Sequence, residues 1–144
     1  MGIPSTLTTV LACRSLCGNV YGMKTVAVIG ASSNREKWGN KAVRAFQQRG
    51  YTVYPVNPNE PEVEGIKTFP SIKEVPVRPQ IITVYIPPPR LVKILPDIAA
   101  QGCNELFLNP GTESGEVVAE CERLGLNAIQ ACSIIAVGVA PGSL

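Results

Sequence analysis

The residues best suited to binding chemistry lie in one short loop that follows an apolar run of the sequence. The loop reads Gly30-Ala31-Ser32-Ser33-Asn34-Arg35-Glu36-Lys37-Trp38-Gly39. Gly30 permits a sharp turn, and the small residues after it leave room for a ligand to approach the backbone closely. Gly39 lies at the start of a predicted helix, where free backbone N–H groups favour anions. The loop therefore predicts a phosphate site, with a purely structural strand-to-helix turn as the alternative.

Two common nucleotide-binding motifs do not fit this loop. The dinucleotide fingerprint needs second and third glycines that are missing at the required spacing, and the Gly-Lys-Ser/Thr of a P-loop is also missing. An NAD site would place Asp or Glu at the end of the second strand to hold the ribose hydroxyls. The chain has Val56-Asn57-Pro58 there, and no acid before Glu60. Nicotinamide dinucleotides are therefore disfavoured as the ligand.

Basic residues are concentrated around the same loop. Residues 24–49 hold six Lys and Arg against one Glu, whereas the whole chain has 13 basic and 11 acidic residues and a net charge of +2. A net charge this small is unlike that of a protein whose main partner is nucleic acid. The local excess predicts a small basic site, suited to one phosphorylated ligand.

The sequence offers little that could perform acid–base or nucleophilic catalysis. It contains no histidine, which excludes Ser-His-Asp triads, Cys-His dyads and zinc sites that use His. The acidic residues show no paired arrangement that would indicate general acid–base work. The five cysteines, odd in number and without a CxxC pair, are typical of reduced thiols in a cytoplasmic protein. We therefore predict no catalytic residues and no metal site.

Alternating strand and helix patterns position the loop. Thr25 to Ile29 is a continuous, mostly β-branched run, typical of a strand buried on both faces of a parallel sheet. A helical pattern follows Gly39 and ends at Gly50, a suitable C-cap. Pro96 is expected to kink or shorten a later helix. The further predicted elements are strands at 51–56, 66–68, 81–86, 105–109 and 127–131, and helices at 71–75, 90–101 and 114–124.

This alternation predicts an α/β fold: a Rossmann-like, doubly wound, mainly parallel sheet of five to six strands with helices on both faces. Such sheets bind ligands at the carboxyl ends of their strands, near the switch in strand order. The loops expected to form a site therefore begin at Gly30, Asn57, Pro87, Asn109 and Cys132.

Length and composition predict a single globular domain. The chain has 144 residues and a mass of 15.3 kDa, with 45% hydrophobic and 17% charged residues. We expect the domain to occupy residues 23–144 and residues 1–22 to form an ill-ordered extension. No apolar run approaches the roughly 20 residues that cross a bilayer. The apolar tail residues could seal a homodimer or pack on the sheet; they are Ile134, Ile135, Val137 and Val139.

Four short motifs, in order, resemble the stand-alone CoA-binding domain family. They are Val28-Ile29-Gly30-Ala31-Ser32, Trp38-Gly39, the run from Gly50 to Pro58, and Phe69-Pro70-Ser71-Ile72. The chain is also similar to the N-terminal domain of the succinyl-CoA synthetase α subunit and of ADP-forming acyl-CoA synthetases. In those proteins an apolar strand that ends in a proline-rich turn matches the run from Val84 to Pro89. The resemblance covers essentially the whole chain after the extension.

The resemblance implies that coenzyme A, free or acylated, is the ligand, and that the loop holds its diphosphate. Backbone N–H groups and hydroxyls of Gly30, Ala31, Ser32 and Ser33 would meet the diphosphate, with added charge from Lys37 or Arg35. Trp38-Gly39 would complete the wall, although Trp38 could instead be a packing residue.

The same resemblance implies positions for the rest of the ligand. Asn57-Pro58 would line the adenosine side. Pro87-Pro88-Pro89 and Arg90 would flank the nucleotide or the start of the pantetheine arm, unless Arg90 is only a solvated helix-start residue. Asn109-Pro110-Gly111 would lie along the pantetheine path. Cys132 would lie toward the thiol end, with an inert buried thiol as the alternative.

The chain also departs from this family. The synthetases carry a phosphohistidine in a second domain that this sequence lacks, and the tail from Ser133 to Leu144 is apolar where many stand-alone members have charges. We therefore predict a non-catalytic CoA sensor, carrier or accessory subunit, which pairs with itself or with an enzyme subunit. A partner-dependent acyl-CoA synthetase component is the first alternative, and an NAD(P)-binding regulator is the second.

Overall fold

The computed structural model describes residues 24–144, so the predicted extension over residues 1–22 lies outside the described residues. Within this part, strands and α-helices alternate except over residues 57–80, where two short strands and a 3₁₀ turn stand in place of the predicted strand at 66–68 and helix at 71–75. In chain order the elements are β1 (Thr25–Ile29), α1 (Trp38–Gln48), β2 (Thr52–Val56), β3 (Glu62–Val63), β4 (Ile66–Lys67), β5 (Ile81–Val84), α2 (Pro88–Gln101), β6 (Glu105–Leu108), α3 (Gly115–Arg123), β7 (Ala128–Gln130) and α4 (Ser133–Ala136). Short 3₁₀ turns occupy Ile72–Glu74 and Pro141–Ser143.

The main sheet has five strands in the order β2-β1-β5-β6-β7, and every neighbouring pair is parallel. The chain passes from β1 to β2 on one side and then crosses to β5 on the other side of β1. The strand order therefore reverses between β1 and β5. This confirms the doubly wound sheet, and it places the switch point beside the loop that follows β1.

Helices cover both faces of the sheet, and β1 shows why. Val26 and Val28 belong to one core cluster, which includes residues of α1 and α4. Ala27 and Ile29 belong to the other, which includes residues of α2 and α3. Because side chains alternate along a strand, a run that is apolar at every position satisfies both cores.

The predicted third strand at 66–68 is not part of the main sheet. Ile66 pairs with Val63 and Lys67 with Glu62, so β3 and β4 form a separate antiparallel pair. The turn between them uses positive φ values at Glu64 and Gly65, 50° and 79°, which close a tight hairpin. The chain rejoins the edge of the sheet at Phe69, which forms an isolated parallel bridge with Val56.

Pro96 does not shorten its helix, which runs unbroken from Pro88 to Gln101. The ring lies on the exposed face of α2. Water can therefore solvate the carbonyl that loses its backbone partner.

The C-terminal tail packs on the domain. Ile134 is fully buried and Val139 is 8% exposed, whereas Ile135 is 62% exposed. Arg49 links the tail to the end of α1, because its Nε donates a hydrogen bond to the Val137 carbonyl oxygen at 3.0 Å. Most of the apolar surface considered for a homodimer is thus used within the domain.

Candidate ligand-binding site

A cavity of about 880 Å³ lies at the carboxyl ends of β1, β2 and β5, at the switch point. This volume lies within the range of small-molecule sites. Its walls come from the β1–α1 loop, the turn after β2, the segment around Ser71, the start of α2 and the loop after β6. The lining residues are Ile29, Gly30, Ser32, Glu36, Lys37, Trp38, Gly39, Val56, Asn57, Asn59, Glu60, Pro70, Ser71, Ile72, Tyr85, Ile86, Pro87, Arg90, Ile94, Asp97, Pro110, Gly111 and Thr112.

Two glycines bring the loop and α1 into close contact. A Cβ atom at Gly39 would lie 2.1 Å from the carbonyl oxygen of Gly30. Gly30 itself has φ +90°, and a Cβ atom there would lie 2.8 Å from the carbonyl oxygen of Tyr85. Both positions therefore need glycine, and the start of α1 lies directly against the loop.

Only part of the loop backbone is free to bind a ligand. The Gly30 N–H donates to the Val56 carbonyl oxygen at 3.0 Å, and the Ser33 N–H donates to Glu60 Oε2 at 3.0 Å. The Ser32 hydroxyl accepts a hydrogen bond from the Asn34 N–H at 3.0 Å. Among residues 24–144, the N–H groups of Ala31 and Ser32 have no hydrogen-bond partner. Of the four loop residues predicted to meet the diphosphate, Gly30 and Ser33 thus use their N–H groups within the protein, and the contacts with a ligand stay a prediction.

Two asparagines hold the loop in shape. Asn57 Nδ2 donates to the Ala31 carbonyl oxygen at 2.7 Å, and Asn40 Nδ2 donates to the Ser32 carbonyl oxygen at 2.9 Å. Asn40 is fully buried and also donates to Glu64 Oε2 at 2.9 Å. Asn40 was not predicted from the sequence, although a polar residue on the inward face of α1 was a usable signal.

The basic site predicted from the charge count does not form as expected. Of the six basic residues in the 24–49 segment, only Lys37 lines the cavity, and Arg90 from α2 is the second cation there. Arg44 bonds to Asn40 Oδ1 and to the Arg35 carbonyl oxygen, and Arg49 bonds to the tail. Three carboxylates line the same cavity; they belong to Glu36, Glu60 and Asp97. The lining thus carries more acids than bases.

Glu60 is the most closely engaged of these carboxylates. Its Oε2 accepts hydrogen bonds from the Ser33 N–H at 3.0 Å and from the Ser33 hydroxyl at 3.1 Å. These hydrogen bonds, with a weaker contribution from Lys37, lower the pKa of the Glu60 carboxyl group. Glu60 is therefore ionised at neutral pH. From the sequence, Glu60 was considered only as an acid that lies too far past the second strand to serve an NAD site.

A buried polar network lies beneath the cavity at the ends of β5 and β6. Asn109 Nδ2 donates to Thr83 Oγ1 at 2.6 Å and to the Val84 carbonyl oxygen at 2.8 Å, and its Oδ1 accepts the Ser133 N–H at 2.9 Å. The Ser133 and Thr83 hydroxyls are 2.7 Å apart. Asn109, 2% exposed, therefore connects β5, β6 and α4 and does not line the cavity.

Tyr85 joins this network to the cavity, which it lines. Its hydroxyl lies 3.1 Å from the Ser133 Oγ. Burial raises the pKa of Tyr85 to about 12, partly offset by the hydrogen bonds to Ser133 and Thr83. The phenol is therefore neutral and can donate or accept a hydrogen bond.

Trp38 stands at the rim of the cavity and is 51% exposed. The Lys41 Nζ lies 4.8 Å from the centroid of its ring. This cation–π contact holds the indole beside the first turn of α1. Trp38 thus contributes a wall rather than packing in the core.

The structure brings nine of the fifteen predicted site residues to the cavity wall: Gly30, Ser32, Lys37, Trp38, Gly39, Asn57, Pro87, Arg90 and Gly111. The other six do not line it: Ala31, Ser33, Pro58, Pro88, Asn109 and Cys132. Ala31 and Asn109 are buried, whereas Ser33 and Pro58 are exposed. Pro88 is the first residue of α2, and Cys132 immediately precedes α4.

Among residues 24–144, no group of three or more His, Cys, Asp or Glu side chains is arranged to hold a metal ion. No helix in that range is long and apolar enough to cross a membrane.

Nearly all of the described part of the chain matches a known protein family. The sequence model of a family described as "CoA binding domain" matches residues 24–138. The ADP-forming acetate–CoA ligase II of Archaeoglobus fulgidus is 34% identical over 113 residues, covering 73% of this chain and 16% of the ligase. YneT of Bacillus subtilis, an uncharacterized protein, is 32% identical over 78 residues, covering 54% of this chain and 55% of YneT.

A solved structure shares the fold over most of its length. A conserved hypothetical protein from Pyrococcus furiosus superposes with a TM-score of 0.73 at 30% identity, covering 78% of this chain and 98% of that chain. The present chain thus spans about a sixth of the ligase and nearly the whole of the Pyrococcus protein.

Proposed function

The chain belongs to the CoA-binding domain family, and from this premise we propose that it binds coenzyme A, free or acylated, in the cavity at the switch point. The observation that carries the proposal is the position of that cavity. It lies against the glycine-dependent loop between β1 and α1, inside the stretch that the family shares. Switch-point crevices are where open α/β sheets bind their ligands.

In this proposal the diphosphate lies between the loop and the first turn of α1. The Ser32 N–H and the N–H groups at the start of α1 supply hydrogen-bond donors, and Lys37 supplies a positive charge. The adenosine lies toward Asn57 at the turn after β2. The pantetheine arm passes Pro87 and Gly111, where few side chains obstruct it.

We assign the chain a non-catalytic role, as a sensor, carrier or accessory subunit. The whole sequence contains no histidine, so the commonest general base and phosphoryl carrier is missing. The titratable groups that line the cavity suit binding rather than chemistry. Glu60 is held on Ser33 and Tyr85 is kept neutral.

A second candidate function is that of a synthetase component that works only with a partner chain. The 34% identity to an ADP-forming acetate–CoA ligase, over 16% of that protein, favours it. On this alternative, acyl-CoA synthesis would depend on a partner that supplies the parts of the ligase that this chain does not match. The isolated chain would bind CoA in either case.

The test is isothermal titration of the full chain with CoA, acetyl-CoA, NAD and NADP, beside the charge-reversal variant Lys37→Glu. Reversal places a negative charge near the diphosphate, and we expect affinity for CoA to fall about tenfold or more. Lys24→Glu makes the same change in net charge at the amino end of β1, away from the cavity, and we expect it to bind CoA normally.

Three outcomes would count against the proposal. Heat of binding with NAD or NADP alone would identify the site as a dinucleotide site. No binding of CoA or acetyl-CoA would reject coenzyme A as the ligand. Equal losses in Lys37→Glu and Lys24→Glu would show that the effect is one of net charge and not of this loop.

A further inference from the structure

Glu60 lies where a ligand phosphate would be expected to lie. The chain turns after β2, and this turn places the carboxylate on the β1–α1 loop, 27 residues earlier in the sequence. The carboxylate holds both polar hydrogens of Ser33, its N–H and its O–H. Glu60 therefore occupies donors that an anion on this loop would otherwise use.

The remaining charges of the cavity do not cancel Glu60. Lys37 and Arg90 are balanced by Glu36 and Asp97, which leaves the Glu60 carboxylate as a net negative charge beside the phosphate subsite. A phosphate that approaches the free Ser32 N–H comes within a few ångströms of the group bonded to the next residue. Each negative charge of the ligand is repelled by that group.

On the basis of the proposed function, we propose that Glu60 is a specificity-determining residue of the site. Its carboxylate, fixed on Ser33, weakens binding in proportion to the negative charge that a ligand brings to the loop. The site therefore favours a diphosphate diester that continues into an uncharged arm, and it disfavours nucleoside triphosphates. The loop supplies the hydrogen-bond donors for one diphosphate, and Glu60 weakens the binding of ligands that bring additional negative charge.

The size of the effect follows from the separation of the charges. Two unit charges about 6 Å apart in a water-like medium interact by an amount equal to roughly a threefold change in affinity. Removal of the Glu60 charge should therefore raise the affinity for a ligand that brings two negative charges to the loop about tenfold. The gain in affinity for a triphosphate should be at least threefold larger. A neutral ligand should be unaffected.

The variant Glu60→Gln tests this directly, because the amide oxygen can still accept the Ser33 hydrogen bonds while the charge is lost. Calorimetric titrations of unaltered protein and variant use dephospho-CoA, ATP and adenosine, at low and at high salt. Relative to unaltered protein, we expect the variant to bind dephospho-CoA more tightly and to show a larger gain in affinity for ATP. Its affinity for adenosine should be unchanged. The gains should shrink at high salt, where charges are screened.

Two controls complete the design. Glu122→Gln removes an exposed carboxylate outside the cavity, and it should leave all three affinities unchanged. Glu60→Ala removes both the charge and the hydrogen-bond acceptor, and it should raise the affinity for ATP at least as much as Glu60→Gln does. Far-UV circular dichroism confirms that each variant is folded.

Other results would overturn the inference. Weaker binding of adenosine and dephospho-CoA by Glu60→Gln would show that Glu60 accepts hydrogen bonds from the ribose. Equal changes in affinity for ATP and adenosine would show that Glu60 does not discriminate between ligands by their charge. Titration of unaltered protein with CoA distinguishes failure of the proposed function from failure of the role given to Glu60. Failure of CoA to bind rejects the proposed function, whereas normal CoA binding with no charge-dependent gain rejects only the role of Glu60.

Discussion

Substitution of Gly39 by alanine is expected to destabilise the fold and distort the site together. The new Cβ atom would lie 2.1 Å from the Gly30 carbonyl oxygen. Real Cβ atoms essentially never make contacts shorter than 3.0 Å. The loop or α1 must therefore move by about 0.9 Å. Gly39 is buried on one side by the backbone of Ala31, so no flexible side chain can absorb this shift.

The expected magnitude is the difference of two effects. Overpacking of a tight site costs about 3 kcal/mol at the upper end of its usual range. Alanine in place of glycine in a helix recovers about 1 kcal/mol. The free energy of unfolding should therefore fall by about 2 kcal/mol, which lowers Tm by roughly 8 °C for a domain of this size.

Urea unfolding followed by far-UV circular dichroism measures this change, and Gly115→Ala is the matched control. Gly115 begins α3 with an ordinary φ, and a Cβ atom there would meet nothing within 4 Å. We expect Gly115→Ala to be neutral or stabilising by about 0.5 kcal/mol. Equal stabilities for the two variants would refute the claim that α1 begins in backbone contact with the loop.

Two further predictions concern the polar groups. Asn109→Leu leaves the Ser133 N–H and the Val84 carbonyl without their buried partner, and should lower the free energy of unfolding by about 2–4 kcal/mol in urea titrations. Asn127→Leu removes one exposed hydrogen bond, from Asn127 Nδ2 to the Asn104 carbonyl oxygen, and should lower the free energy of unfolding by no more than about 0.5 kcal/mol; a similar loss in both variants would argue against the network. Because the Ser33 hydrogen bonds lower the pKa of Glu60 in the folded state, their stabilisation is present above the unfolded pKa, about 4.3, and is lost as pH falls through the folded value. The Tm advantage of unaltered protein over Glu60→Gln should therefore shrink from pH 6 to pH 3; the effect is small because the carboxylate is partly exposed, and an advantage that grows with acid would contradict it.

The main sheet could be predicted from sequence because its strands are defined by local patterns. After Thr25 the β1 run is apolar at every position, and in the structure each residue of the strand is buried. Gly30 follows, and its positive φ marks the turn. The β3–β4 hairpin could not be distinguished in the same way. A strand as short as Ile66–Lys67 carries no signal of which neighbour it pairs with.

The electrostatic character of the site could not be read from sequence, because charge close in sequence is not charge close in space. Lys24 lies at the amino end of β1 and Arg49 follows the far end of α1, while the cavity lies at the opposite end of the sheet. Glu60 and Asp97 reach the cavity from other elements. The buried partners of Asn109 were hidden for the same reason, since Ser133 lies 24 residues further along the chain.

On the proposed function, the hydrogen bonds that hold the loop and the position of Glu60 would together make one site both receptive and selective. Asn40 and Asn57 donate hydrogen bonds to the Ser32 and Ala31 carbonyls, so the peptide groups of the loop are oriented before a ligand arrives. A preorganised site has little ordering entropy to lose on binding, and weak donors there still yield useful affinity. Such a cradle alone would accept any phosphate. A fixed carboxylate bonded to the same loop penalises ligands according to their charge, and selectivity then requires no change in the shape of the cradle.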